Sequence, residues 1–289
     1  MKRIPLFEET AAVITLYLPD VTVISGITSM VSSFGHVYIV DNSPLVLQQN
    51  LHLGDVPNVT YLPMGKNTGL AHAMNIGCST AFANGFKYVV TMDQDSTLLT
   101  DLMTVYSRYI EDQSLGQIGA LCPQYQTDRS DLKLLEGEDI VKVTMQSGMC
   151  ISSHVWAQVG QFSEPLFLDV IDWEYCFRLQ KHGFKVIRCN AAVLGHRPAT
   201  TKTISLFGHK YKYGIAEPVR YYYQIRNLLF VSHEYRSVWL AAVAVMKFLK
   251  VILLFPHKTV YFHYILDALR DAIKCRMGSY EDARNETHR

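Results

Sequence analysis

The sequence predicts an α/β fold built on a Rossmann-like, mostly parallel sheet. Short apolar runs alternate with helical segments through the first hundred or so residues, a pattern typical of doubly wound sheets. Polar side chains stand where these runs end: Asp41, Asn67, Asp93 and Asp95. In parallel sheets ligands bind outside the carboxyl ends of the strands, so we expect a binding site at this edge.

The predicted elements follow one another closely. Residues 11–17 read as a first buried strand, and Asp20 starts the helix after it. Residues 36–40 and 59–62 give the next two strands. The third strand leads into a helix over residues 70–83, which Gly85 ends.

The fourth strand, residues 88–92, ends in two carboxylates, Asp93 and Asp95. If the chain stays extended, both carboxylates point to one side while Gln94 points to the other. Such a pair suits Mg²⁺ or Mn²⁺, which prefer oxygen ligands and keep positions open for phosphate. The alternative is a solvated turn in which Asp95 and Ser96 cap the next helix.

The later segment 167–197 combines further candidates. Residues 172–182 have helical character, with Asp172 at the expected N-cap, and capping alone would explain that residue. The strand that follows runs to His196, which is either a metal ligand or a structural hydrogen-bonding residue. Gly148, in a polar turn, either permits close approach of a ligand or forms a simple bend.

Composition excludes several classes of protein. Of the 289 residues 49% are hydrophobic and 18% charged, which argues against a disordered chain, and a net charge of +1 argues against nucleic-acid binding. The six scattered cysteines predict buried thiols in a reducing compartment. Glu8 and Glu9 interrupt any signal-peptide core, so we expect a cytoplasmic protein.

The two common glycine-rich phosphate loops, G-x-G-x-x-G after a strand and G-x-x-x-x-G-K-[ST], are missing from the sequence. A nucleotide diphosphate would therefore need a metal and side chains to neutralise its charge, a role that fits the D-Q-D pair. A sugar nucleotidyltransferase is disfavoured, because residues 11–35 lack the glycine-rich triphosphate loop.

Taken in order, these motifs resemble the inverting GT-A glycosyltransferases, specifically the bacterial rhamnosyltransferase-like branch that builds O-antigen and related polysaccharides. The matching motifs within residues 11–197 are IVDNS, KNTGLAHAMNIG, TMDQDS, QSGMCIS, FLDVIDWEYCFRLQKHGFKV and LGH. RYYYQIRN, residues 220–227, resembles a motif common beyond that core. The resemblance implies a GT-A nucleotide-diphospho-sugar transferase domain over residues 1–200 and a helical C-terminal extension over residues 201–289.

The resemblance also implies roles on the donor side of the site. Tyr17 and Asp41 match positions that hold the base and ribose of the donor. Asn67 and Gly69 match the loop on the nucleotide side, and Asp93 belongs to the donor site as well as to the D-x-D pair.

For the reaction itself, the resemblance makes Asp95 the principal metal ligand, with Asp93 beside it and His196 as the third protein contact. Asp172 matches the catalytic base. The sequence departs from the family at the residue before this base, where Ile171 replaces a common acid. Two nearby acids are candidates to replace the missing partner: Asp169 and Glu174.

The implied function is transfer of rhamnose from dTDP-rhamnose, with inversion, to a saccharide acceptor on a polyprenyl diphosphate lipid, in O-antigen or lipopolysaccharide synthesis. The alternatives are a UDP-galactose or UDP-glucose transferase and a non-catalytic subunit of a polysaccharide assembly complex. Residues 238–254 are strongly apolar but carry Lys247 and Lys250. They predict a helix that lies on the cytoplasmic face of the inner membrane, packs on the domain or spans the membrane, although seventeen residues are fewer than the roughly twenty that a span takes.

Overall fold

The protein is described here by a computed structural model covering residues 5–45, 52–111, 117–128, 135–196, 200–206 and 209–285. The chain forms two units. The first comprises Met1–Phe162 and Tyr175–Arg197, and the second comprises Ser163–Glu174 and Pro198–Arg289. The predicted boundary at residue 200 stays a prediction, while residues 163–174 group with the C-terminal part of the chain.

In the described part of the first unit, nine strands form one sheet in the order β3-β2-β1-β4-β8-β6-β9-β5, with β7 paired to β9. The strands are β1 (Thr10–Leu16), β2 (His36–Asp41), β3 (Val59–Pro63), β4 (Tyr88–Asp93), β5 (Ser96–Leu98), β6 (Ile118–Gln126), β7 (Glu138–Ile140), β8 (Met149–Ser152) and β9 (Lys185–His196). Strands β1 to β4 are mutually parallel, whereas β8 runs antiparallel to β4 and β6. The predicted α/β class is confirmed, with antiparallel strands added to the parallel part.

Six helices accompany this sheet in the described residues. They are α1 (Pro5–Glu9), α2 (Val21–Met30), α3 (Leu70–Ala83), α4 (Leu102–Glu111), α5 (Ser153–Val159) and α6 (Ile171–Lys181), whose first four residues belong to the second unit. Asp20 caps α2 as predicted, because its carboxylate accepts hydrogen bonds from the N–H groups of Thr22 and Val23.

The region after the D-x-D pair differs from the predicted alternative in which Asp95 and Ser96 cap a helix. Residues Ser96–Leu98 form strand β5, and α4 begins only at Leu102. The carboxylate of Asp101 accepts the hydrogen bond from the N–H of Thr104, so the capping role belongs to Asp101.

The register of the parallel strands aligns their carboxyl ends. Leu16 on β1 pairs with Asp41 on β2, Asp41 pairs with Pro63 on β3, and Thr15 pairs with Asp93 on β4. The polar residues that follow each strand therefore emerge along one edge of the sheet. Strands β1, β2 and β4 are buried over most of their length, as expected for a sheet covered on both faces.

In its described residues the second unit contains the hairpin β10 (Thr201–Leu206) and β11 (His209–Gly214) and four helices. The helices are α7 (Pro218–Glu234), α8 (Val238–Leu254), α9 (Lys258–Ile273) and α10 (Tyr280–Asn285). The motif at residues 220–227 lies in α7, where Tyr221, Tyr222 and Tyr223 are buried packing residues. Among the described residues, the helices all fall short of the length and apolar character needed to span a membrane.

Candidate active site

Asp93, Asp95 and His196 come together as a group able to hold a metal ion. One ligand atom from each residue lies within 4.8 Å of the others. The Nδ1 atom of His196 is 3.7 Å from Oδ1 of Asp95. All three residues are partly buried, so an ion held here would keep coordination positions open toward solvent or a ligand.

Strand pairing creates this group. Asp93 is the last residue of β4, and Asp95 immediately precedes β5. Because β5 runs antiparallel to β9 with Ser96 opposite His196, the end of β9 is brought beside the D-x-D pair. The two carboxylates and the imidazole come from strand ends fixed by the main sheet, rather than from a long loop.

Residues of the turn before β8 hold Asp93 in place. The Nε2 group of Gln146 donates a hydrogen bond to Oδ1 of Asp93, and the backbone N–H of Asp93 donates to the hydroxyl of Ser147 at 3.0 Å. The hydroxyl of Thr91 donates to the carbonyl of Gln146 at 2.6 Å, which fixes the turn itself. Sequence reasoning missed Gln146 and Ser147, although a polar pair inside the apolar frame of TMQSGMCIS was a usable signal.

Gly148 in the same turn is required by the backbone. Its φ is +80°, and a Cβ atom here would lie 2.7 Å from Cγ of Pro123. Its N–H donates to the carbonyl of Thr91 at 2.7 Å. These contacts favour the simple bend over the close approach of a ligand.

Gln94, between the two aspartates, connects them to Tyr17. Its side-chain Oε1 accepts a hydrogen bond from the N–H of Tyr17 at 2.8 Å, and its Nε2 donates to the carbonyl of Tyr17 at 3.3 Å. This two-point contact fixes the backbone just after β1 while the Tyr17 side chain stays 46% exposed. An exposed ring on a fixed backbone is suited to stacking on a flat ligand such as a base.

Asp41 lies at the same edge but is only 1% exposed. Its Oδ2 accepts a hydrogen bond from the hydroxyl of Tyr61 at 2.6 Å, and its Oδ1 accepts one from the N–H of Ser43 at 3.0 Å. The Ser43 hydroxyl in turn accepts from the N–H of Leu18 at 2.8 Å, tying this turn to the end of β1. Burial without such partners would disfavour a carboxylate, so these bonds keep Asp41 in place.

Asn42 joins Asp41 to the predicted nucleotide-side loop. Its Oδ1 accepts from both the N–H and the hydroxyl of Thr68 at 2.8 Å, and its Nδ2 donates to Oδ1 of Asn67 at 3.1 Å. Asn67 also accepts from the N–H of Gly69 at 3.1 Å. Gly69, with φ of +87°, is the N-cap of α3, so this loop presents the N-terminus of a helix at the sheet edge.

Asp172 belongs to the second unit, in the first turn of α6 rather than at the predicted N-cap. The two acids considered as substitutes for the missing partner both make bonds within that unit. Asp169 receives two hydrogen bonds from Arg220, at 3.1 and 2.7 Å. Glu174 is buried and accepts a hydrogen bond from the hydroxyl of Tyr235 at 2.7 Å.

Comparison with known sequences points to one family. Residues 36–155 match the model of glycosyl transferase family 2. The chain is also similar to dTDP-rhamnosyl transferase RfbF of Shigella flexneri, with 27% identity over 238 residues that cover 75% of this chain and 77% of that protein.

Comparison with solved structures supports the same fold. TarS 1–349 of S. aureus in complex with UDP-GlcNAc superimposes with a TM-score of 0.59 at 12% identity, covering 92% of this chain and 81% of that one. GalNAc-T7 with UDP, GalNAc and Mn²⁺ gives a TM-score of 0.57 at 11% identity, covering 96% of this chain but only 56% of that longer one. The comparisons therefore agree on a GT-A fold and on similarity to glycosyltransferases, one of them a dTDP-rhamnosyl transferase.

Proposed function

We propose that this protein is a glycosyltransferase that moves rhamnose from dTDP-rhamnose onto a saccharide acceptor during synthesis of O-antigen or a related surface polysaccharide. The observation that carries the chemistry is the grouping of Asp93, Asp95 and His196 at the strand ends. The choice of donor is supported by the similarity to RfbF, which is a dTDP-rhamnosyl transferase.

The three side chains fit Mg²⁺ or Mn²⁺. Two carboxylate oxygens and one imidazole nitrogen form a donor set acceptable to both ions, and the fixed positions of the strand ends reduce the cost of gathering them. When bound, such an ion stabilises negative charge on the diphosphate of the leaving nucleotide. Because the sequence lacks the two common glycine-rich phosphate loops, the diphosphate charge would be neutralised by this ion and by side chains.

The donor would be held by the edge residues that precede the metal group. Tyr17 offers an exposed ring for the base, and its backbone is fixed by Gln94. Asn67 and Gly69 lie at the N-terminus of α3, whose partial positive charge favours an anionic ligand. Asp41 would contact the base or ribose through a carboxylate oxygen that also accepts a hydrogen bond from Tyr61 or Ser43.

Asp172 would act as the base of a direct displacement. It takes the proton from an acceptor hydroxyl, whose oxygen forms a bond to the anomeric carbon as the bond from that carbon to dTDP breaks. Attack from the side opposite the leaving group inverts the configuration of the sugar.

We further propose that α8 contacts a lipid surface, where a lipid-linked acceptor would reside. The two lysines of this helix point inward: Lys247 donates to Oε1 of Gln224 at 2.9 Å, and Lys250 donates to the carbonyl of Gly214 at 2.7 Å. Burial lowers the pKa of Lys247. The lysines therefore do not supply the headgroup contacts that a helix lying at an interface usually offers.

The outward side of α8 is apolar instead. At 3.6 residues per turn its large exposed residues share one side of the helix. They are Val238, Trp239, Val245, Met246, Leu249 and Leu253. In α9 and the turn after it, the exposed Lys258 and Lys274 could contact anionic headgroups. Arg270 is instead paired with Asp267, and Arg276 lies 4.0 Å from Asp271.

A donor screen tests the proposed reaction. Thermal unfolding would be followed with dTDP-rhamnose, UDP-galactose and UDP-glucose, each with and without Mn²⁺, and transfer to a lipid-linked acceptor would be measured for each donor. We expect dTDP-rhamnose with Mn²⁺ to give the largest rise in Tm and to be the donor that is consumed. A larger rise and faster transfer with a UDP-sugar would overturn the proposed donor while leaving the enzyme class intact.

A further inference from the structure

The loop before the proposed base has an unusual backbone. Three of its four residues, Phe167, Asp169 and Val170, have left-handed φ angles of 64°, 61° and 68°. This region is disfavoured for side chains other than glycine, and most of all for β-branched valine. A loop that served only as a turn would be expected to use glycine at such positions. Backbone strain of this kind persists only where neighbouring groups enforce it, and it concentrates at functional sites.

Asn227 of α7 supplies much of that enforcement. It is fully buried, and its Nδ2 group faces three backbone oxygens of the loop region. The distances are 2.9 Å to Leu166, 2.8 Å to Leu168 and 2.9 Å to Asp169. One amide group thus lies against the carbonyl just before the strained segment and two carbonyls within it.

Arg226 fixes the orientation of that amide. Its Nε donates to Oδ1 of Asn227 at 3.0 Å, and because arginine can only donate, the Nδ2 group must be the one that faces the carbonyls. Arg226 also donates to the carbonyl of Leu166 at 3.1 Å and to that of Gly278 at 2.8 Å. Its guanidinium lies 5.0 Å from the ring centre of Tyr222, and it is fully buried.

Two further residues of α7, Arg220 and Tyr223, also contact the loop. Arg220 forms a two-point contact with the carboxylate of Asp169, and Tyr223 stacks on Phe167 with ring centres 5.3 Å apart. The loop is therefore fixed at its side chains and at its carbonyls. Helix α6 begins immediately after Val170, so Asp172 is the second helical residue beyond the strained segment.

We propose that Arg226 and Asn227 are positioning residues for Asp172. They hold loop 167–170 in its left-handed conformation, and this conformation sets the start of α6 and the place of the Asp172 carboxylate. The inference rests on the proposed role of Asp172 as the base. The last two residues of the RYYYQIRN motif, Arg226 and Asn227, would then affect the reaction without contacting the substrate.

The test is a double-mutant cycle of Asn227→Ala and Asp172→Asn, with kcat and the donor KM measured on folded protein. We expect Asn227→Ala to lower kcat on the order of 10-fold or more, because misplacing a reacting group by about 1 Å can cost 10²-fold. The donor KM should stay within about twofold, and in the Asp172→Asn background the same change should have little further effect. Ser232→Ala in the same helix, which removes a hydrogen bond from its hydroxyl to the carbonyl of Ser237, should leave kcat unchanged.

Two results would distinguish failure of the positioning inference from failure of the assignment of Asp172 as the base. If Asn227→Ala slows the Asp172→Asn enzyme by the same factor as it slows the wild type, the residue does not act through Asp172 and the inference is wrong. If Asp172→Asn alone keeps near-normal turnover, the base assignment fails instead. Should Asn227→Ala not yield folded protein, Arg226→Lys enters the same cycle with the same expectations, because lysine keeps the charge but loses the forked contacts.

Discussion

Asp172 lies in the second unit, between two acids that contact α7 or the residue after it. Its carboxylate accepts a hydrogen bond from the N–H of Trp173 at 2.9 Å, and it lies in the first turn of α6, where the helix dipole favours a negative charge. The acids on either side, Asp169 and Glu174, have hydrogen-bond partners from α7 and the residue that follows it. The proposed assignment of proton transfer to Asp172 is tested by substitution.

Replacing Asp172 by Asn tests this assignment at the residue scale. Asparagine keeps the size of the side chain but cannot accept the proton, so turnover should fall on the order of 10²-fold or more. Binding of dTDP should stay the same, since the donor contacts are assigned to other residues. Initial rates and dTDP titrations check both parts, and turnover within a few-fold of wild type would remove Asp172 from the mechanism.

At the residue scale, the sequence predicts which types of side chain form the candidate site, but not the residues with which they form hydrogen bonds. The D-x-D spacing indicates two carboxylates at a strand end from local pattern alone. That Gln146 holds Asp93, or that Gln94 holds Tyr17, depends on which strands become neighbours, and these pairs are far apart in the chain. The same applies to Asn227, whose three acceptors are on a loop about sixty residues earlier.

At the scale of elements, α3 shows how closely a helix can be fitted to the sheet. Gly77 faces β1, where an added Cβ atom would lie 2.3 Å from Cγ1 of Val13 and 3.0 Å from Cγ2 of Val40. The missing side chain lets the helix approach the strands whose ends carry the residues proposed to bind the donor. The helix therefore depends on this glycine for space rather than for backbone freedom.

Gly77→Ala should destabilise the protein by about 1–3 kcal/mol, the usual cost of adding a methyl group to a packed core. Gly26 provides a matched control in α2, because nothing lies within 4 Å of its added Cβ atom. Gly26→Ala should raise stability by roughly 0.5–1 kcal/mol through helix propensity. Urea unfolding curves measure both changes. Equal changes in the free energy of unfolding for Gly77→Ala and Gly26→Ala would contradict the close packing of α3 on β1.

Element boundaries were predictable where their signals are local. The helix over residues 70–83 and the helix over residues 238–254 have the predicted ends, because a glycine or a change in apolar character marks each one. The short strand β5 was not predicted, since it is defined by its pairing with β9 rather than by its own three residues. The inward direction of Lys247 likewise depends on where α8 packs.

At the scale of the whole molecule, the residues proposed to bind the donor and the residue proposed as the base belong to different units. The first unit carries the proposed donor residues and the metal group, and the second carries Asp172 and the apolar side of α8. The sequence could indicate the α/β class of the first unit from repeated strand and helix patterns. It could not indicate that residues 163–174 group with the C-terminal part, because that grouping rests on contacts with α7 and α8, such as the stacking of Trp173 on Trp239.

Membrane contact through α8 can be tested with vesicles that contain anionic lipid. The pair Val245→Glu and Leu249→Glu places two charges on the apolar side and should weaken vesicle binding about 10-fold or more, because the burial of each side chain is worth about 1.5–3 kcal/mol. Ile140→Glu alters a similarly exposed apolar residue of the first unit and should bind as the wild type does. Co-sedimentation measures the difference. Unchanged binding by the double variant would rule out this side of α8.

Calorimetric titration of dTDP, with and without Mn²⁺, tests the central claim that Asp93, Asp95 and His196 hold a divalent ion for the leaving nucleotide. We expect Mn²⁺ to tighten dTDP binding on the order of 10-fold or more in the wild type, and Asp95→Asn to remove that gain while the protein stays folded. Asp55→Asn, which alters an exposed carboxylate elsewhere in the first unit, should keep it. Mn²⁺-dependent tightening that survives Asp95→Asn and His196→Ala would contradict the claim.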